Sequence, residues 1–232
     1  TPEKIMASVA KGEVAIPCNI HHTSISPEGI GADLRTKINV NLGISGDCKN
    51  YDVEMQKVDM ALKFGAEAIM DLSNYGKTNT FRRELIAKSP AMIGTVPMYD
   101  AIGYLEKELA TCTAQDFLDV VRRHAQDGVD FVTIHAGINR RTVDAFMRDG
   151  RKMNIVSRGG SLLFAWMLLT GNENPFFEFY DDLLDILRAH DVTVSLGDAM
   201  RPGCIADASD SSQISELIEI GALTKRAWEA DV

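Results

Sequence analysis

FVTIHAGINRR, residues 131–141, runs strand-forming side chains into a histidine and stops on a glycine. Phe131, Val132, Thr133 and Ile134 favour extended backbone, because aromatic and β-branched side chains fit a pleated, half-buried surface. His135 then places a titratable ring at the end of the run, and Gly137 breaks it. Upstream, AQDFLDVVRRHAQDG (114–128) has helical periodicity and a glycine stop, and downstream residues 140–149 return to helical spacing. A strand between two helices that ends on such a side chain is an arrangement found at the mouth of an α/β barrel.

The alternation continues in both directions. KINVNLG (37–43), AEAIMDLS (66–73), AMIGTVPMYD (91–100), VDFVTIHAG (129–137), NIVSRGG (154–160) and VTVSLGD (192–198) read as strands. Residues 52–65, 80–89, 161–170, 176–191 and 209–231 read as further helices, and EKIMASVAKGE (3–13) as an amphipathic helix docked on the body. Strands alternating with helices at this spacing imply parallel pairing with right-handed crossovers. Two architectures compete, a doubly wound sheet and a (β/α)8 TIM-type barrel. NLGISGDC (41–48) lacks the G-x-G-x-x-G spacing of a dinucleotide-binding sheet, which favours the barrel, with about six of its eight units in this chain. Residues 1–36 are then an N-terminal helix and lead-in, and residues 37–232 a partial barrel.

Composition bounds the function. The chain has 232 residues, 45% hydrophobic and 25% charged, as an ordinary globular protein does. A net charge of -9 argues against a general nucleic-acid binder but not against a small anion, since a few local arginines can reverse the field in a pocket. Cys18, Cys48, Cys112 and Cys204 form no C-x-x-C pair, so neither a zinc ribbon nor a redox motif is visible and reduced thiols are expected. The start lacks the apolar stretch of a signal peptide, and no window is apolar enough to span a membrane. A soluble, cytoplasmic protein is the expectation.

In a barrel the carboxyl ends of the strands converge on one face. There the sequence places Asn39 and Asn41 (which alternate with Val40 and share a side), Met70, Tyr99 with Asp100, His135, the Ser157-Arg158-Gly159-Gly160 run, and Asp198 with Arg201 just beyond. Each alone has a structural alternative: His135 or Tyr99 in the core, Met70 as packing, SRGGS as a turn and N-cap, GDAMRPG (197–203) as a tight turn. Their recurrence in successive units points instead to one pocket for a small, polar, phosphorylated ligand. Its phosphate would sit on the helix N-terminus at SRGG beside Arg158.

INVNLGIS (38–45), AIMDLS (68–73), IGTVPMYDA (93–101), GVDFVTIHAG (128–137), NIVSRGGS (154–161), SLGDAMRPG (195–203) and GALTKRAWE (221–229) resemble, in the same order, the motifs of the phosphomethylpyrimidine synthase family. The resemblance covers nearly the whole chain. It implies a (β/α)8 barrel, a lyase that rearranges 5-aminoimidazole ribotide into 4-amino-5-hydroxymethyl-2-methylpyrimidine phosphate for thiamine. It further implies S-adenosylmethionine, cleaved reductively by a 4Fe-4S cluster to a 5'-deoxyadenosyl radical, a zinc or other divalent metal, and a homodimer. Matched by motif, substrate binding falls on Asn41, Met70, Tyr99, His135, Ser157, Arg158, Gly159, Asp198 and Arg201, with Ala199 and Met200 lining the same turn.

The family's Glu-Gly-Pro-Gly-His motif, a second metal-binding histidine and a C-x-x-C-x(4)-C cluster motif are not in these residues, and no cysteine here matches that spacing. PCNIHH (17–22), NLGISGDC and SNYGKT (73–78) depart from the commonest thiamine-branch wording and also fit a sister enzyme, 5-hydroxybenzimidazole synthase of anaerobic cobalamin assembly, which uses the same ribotide. A third reading, of another class, is a non-catalytic ribotide-binding module.

Overall fold

A computed structural model describes residues 1–105 and 107–232, and their side chains apart from those of residues 102–104 and 149. Helix α1 (Pro2–Ala10) leads to β1 (Val14–Ala15) and β2 (Ile30–Gly31), paired antiparallel. The body follows as β3 (Asn39–Leu42), α2 (Tyr51–Lys63), β4 (Ala68–Asp71), α3 (Asn79–Lys88), β5 (Met92–Thr95), α4 (Pro97–Leu105) and α5 (Ala114–Asp127). It continues through β6 (Phe131–Ile134), α6 (Arg140–Asp149), α7 (Arg158–Thr170), α8 (Pro175–Glu178), α9 (Tyr180–His190), β7 (Thr193–Leu196) and α10 (Ser211–Glu229).

Strands β3 to β7 form one parallel sheet in sequence order. Because crossovers between parallel strands are right-handed, steps that never reverse direction carry the helices to one face. A doubly wound sheet would reverse its order. The sequence pattern agrees: Leu42, Ile69, Ile93, Val132 and Ile134 are buried in one cluster with Met55, Val58, Leu85, Val121 and Leu184 from the helices. The other face carries Asn41, Met70, Gly94, Phe131 and Thr193, which are opposite one another in register. Asn41 and Ser195 there are exposed, and Phe131, Thr133 and Thr193 half-buried.

The lead-in is tied to the amino end of the sheet. Asn19 donates from its side-chain amide to Ala125 O (2.8 Å) and Val129 O (2.9 Å) and from its backbone N–H to Asp130. His22 bridges Asp130 (2.7 Å) and the Ser89 carbonyl (2.9 Å). α1 itself buries no residue, although Gly12 beyond it packs against the Trp228 ring of α10.

Three sequence expectations need correction. Residues 154–160 are not a strand: β6 pairs directly with β7, and the sheet has five strands instead of six. Its apolar run is only Ile155-Val156, preceded by Asn154 in a left-handed conformation (φ 52°) and followed by Ser157 as the N-cap of α7. Strand β5 ends at Thr95, not at Asp100, because Pro97 opens α4; proline is favoured there, where its missing N–H costs nothing. Tyr99 therefore stands on the first turn of a helix. The helix expected over 176–191 is two, α8 and α9, joined at Phe179.

Among the described residues no helix is long and apolar enough to cross a membrane.

Candidate functional site

His135 follows the last residue of β6, and its neighbourhood is built from three chain segments. Its Nε2 lies 2.9 Å from Ser157 Oγ, and that oxygen also accepts the Gly160 N–H (3.2 Å), capping α7. The ring is 3% exposed, yet its Nδ1 has no hydrogen-bond partner. Burial, and next the charge of Arg201, pull the imidazole down to about 4, so it is neutral at pH 7. The ring is thus neutral, with one buried nitrogen that the protein leaves unanswered beside Gly159.

Glycines permit this closeness. A Cβ on Gly159 would meet His135 Cε1 at 2.5 Å and Nδ1 at 2.6 Å, and one on Gly160 would meet Ala199 Cβ at 2.5 Å. A Cβ on Gly197 would come within 3.3 Å of His135 Nε2. The α7 N-terminus, the end of β6 and the turn after β7 therefore pack without intervening side chains. Arg158, exposed on the first turn of α7, stacks its guanidinium over the Tyr99 ring at 5.3 Å. The N-terminal N–H groups of α7 and this arginine make a positive rim suited to an anion.

The turn after β7 is held from below. Ala199 N–H and Met200 N–H both donate to Glu216 of α10 (2.8 and 2.6 Å), and Arg151 donates to Met200 O (2.5 Å) while pairing with Asp210. Asp198 is exposed, and Arg201 donates to its carbonyl (3.1 Å). Burial lifts the Glu216 carboxyl to about 7, against the two N–H bonds that favour the carboxylate.

The structure thus brings His135, Ser157, Gly159, Ala199, Met200 and Arg201 into one cluster, with Arg158, Tyr99 and Asp198 at its rim. Asn41 and Met70 stand apart from it. They neighbour each other on the polar face of the sheet, where Asn39 bonds Asn41 (3.0 Å) and Met70 lies over Gly94 beside Phe131. β3 is three strands from β6, about 14 Å at the usual strand spacing. Asp100 belongs to a buried network on the helical side, with Thr78, Arg82 and His124.

Two supports had no reading in the sequence. Asn174, the fully buried N-cap of α8, donates to both His135 O (2.8 Å) and Ile138 O (2.7 Å). An asparagine before Pro175 signals a cap, but not these partners. Glu216 looks like any acidic residue of an amphipathic helix.

A separate apolar groove of about 490 Å³ runs between β3 and α2, lined by Ile38, Val40, Val53, Met60 and Phe64 among others. It lies at the sheet edge and away from His135.

The model of the radical SAM ThiC family matches residues 1–232. The chain is 65% identical over 229 residues to a phosphomethylpyrimidine synthase of Clostridium novyi, covering 99% of this chain and 52% of that protein. It is 61% identical over 230 residues to the same-named protein of Alkaliphilus oremlandii and 61% over 228 to that of Campylobacter jejuni, covering 99% and 98% of this chain and 53% of each relative. The chain spans about half the length of the curated relatives it matches.

Proposed function

The chain belongs to the radical SAM ThiC family of enzymes, and on that premise we propose that it is part of a phosphomethylpyrimidine synthase acting on 5-aminoimidazole ribotide. The identity of 61–65% with relatives of that name, over nearly every residue here, carries this reading. We also propose that β3 to β7 are a wedge of a (β/α)8 barrel spanning residues 37–232 and closed by further units. Support comes from the sequential strand order, the polar second face, and an apolar groove beside the edge strand β3.

In this reading the ribotide phosphate lies on the α7 N-terminus against Arg158, and the free Nδ1 of His135 bonds the ligand nearby. Asn41 and Met70 line the same face toward its far end. The family's cofactor does not fit the residues present. Cys18, Cys48, Cys112 and Cys204 are free, and among the described residues no three His, Cys, Asp or Glu side chains could hold a metal ion. The role of these residues is therefore to bind and orient the ribotide, with the cluster's ligands supplied from elsewhere.

The test is calorimetric titration with the ribotide and with its unphosphorylated nucleoside. A charge-assisted hydrogen bond is worth about 1.5–3 kcal/mol, so Arg158→Ala should weaken the ribotide roughly 10- to 150-fold and leave the nucleoside nearly unchanged. Equal losses for both ligands would move the phosphate elsewhere.

A further inference from the structure

At the opposite, amino end of the sheet, two histidines from distant parts of the chain face each other. His21 Nε2 and His190 Nδ1 share a hydrogen bond of 3.1 Å, their ring centroids 5.2 Å apart and tilted by 49°. We propose that this pair is a binding site for one divalent transition cation of the imidazole-preferring class, zinc or copper, with water completing its coordination.

Distance is the first support. Two nitrogens bound cis to one such ion at ~2.0–2.1 Å are held roughly 2.9–3.4 Å apart, and the pair already has that spacing. Moving the shared proton to the far nitrogen of the ring that carries it, with small rotations of both rings, frees two lone pairs for one ion.

The second support is that both ligands are set in place before any ion arrives. The His21 N–H donates to Asn19 Oδ1 (2.8 Å), and Asn19 is itself fixed by its three bonds to Ala125, Val129 and Asp130. His190 ends α9, its carbonyl accepts the Ile20 N–H (3.2 Å), and Asp191 turns the chain away in a left-handed conformation. The backbone under each ring is therefore held, so that binding has to order only the two side chains.

Charge is the third. Asp191 adjoins His190, and the net charge of -9 favours a cation. No third side chain joins the two histidines: among the described residues no group of three ligating side chains exists. The site is thus two-ligand and exchangeable, and an ion in it ties the lead-in to α9 across 169 residues of sequence.

Substoichiometric Cu2+ and the ring NMR signals of the five histidines provide the test. Broadening centred on His21 and His190, with the buried and more distant His135 sharp, is expected. His21→Ala and His190→Ala should each abolish that selectivity. Uniform broadening, or broadening centred on other histidines, overturns the site, as does selectivity that survives either variant. The wild-type spectrum decides even where a variant fails to fold.

Discussion

Glu216 and Gly159 show how single residues set the site. The Glu216 carboxyl is raised from 4.5 to about 7, chiefly by burial, with Asp198 pushing the same way and Arg151 opposing. A raised acid favours the folded state fully below the unfolded pKa, and that contribution is lost as pH rises through the folded one. The stability difference between wild type and Glu216→Gln should therefore fall from about pH 4.5 to about 7 and flatten above. Urea denaturation across that range measures it; a difference independent of pH would mean the group does not titrate. Gly159→Ala drives a methyl into the His135 ring, 2.5 Å from Cε1. The ring is buried and bonded to Ser157, so it has little room to yield. Overpacking of this kind costs about 1–3 kcal/mol, and the urea midpoint should fall accordingly. An unchanged midpoint would show that the ring moves freely.

Elements place these residues through their ends. α7 starts at the site because Ser157 caps it, and α10 touches the site through one carboxylate. Short α8 contributes mainly its cap: Asn174 holds the carbonyls of His135 and Ile138 while accepting the Phe176 N–H (3.0 Å). Asn174→Ala would strand two buried carbonyls, each costing about 1–3 kcal/mol when left unpaired. Denaturation should report a loss of at least that size, and under the proposed function ribotide affinity should drop because the His135 loop is freed. A variant as stable as wild type would mean that water replaces the amide.

At the scale of the molecule, the four cysteines sit on separate segments, two before α2, one ahead of α5 and one after β7. A 4Fe-4S cluster needs thiolates gathered around one centre. Anaerobic reconstitution of these 232 residues should therefore yield no stoichiometric cluster and no 5'-deoxyadenosine from S-adenosylmethionine. Iron analysis and product chromatography check this. A cluster at one equivalent would require the chain to refold around its own cysteines.

What could be read from the sequence was local. Hydrophobic periodicity located β3, β4, β6 and β7 and most helices, since burial on one face leaves a repeat of two or near 3.6 in the chain itself. His135 at a strand end, SRGG as a helix start and the GDAMRPG turn were legible for the same reason: their chemistry lies within a few consecutive residues. Strand 154–160 was misread because two apolar residues beside glycine and serine serve a strand edge and a helix cap alike, and only the pairing of β6 with β7 excludes the first. Pro97 is the readable signal that β5 has ended and α4 begins. The convergence of His135, Ser157 and Arg201 on one face was an expectation of the strand ends, but the bond between His135 and Ser157, the pinning of Glu216 to Ala199 and Met200, and the meeting of His21 with His190 belong to tertiary structure alone. Such contacts join residues far apart in the chain, so no local spacing encodes them; they exist only once the sheet brings the segments together.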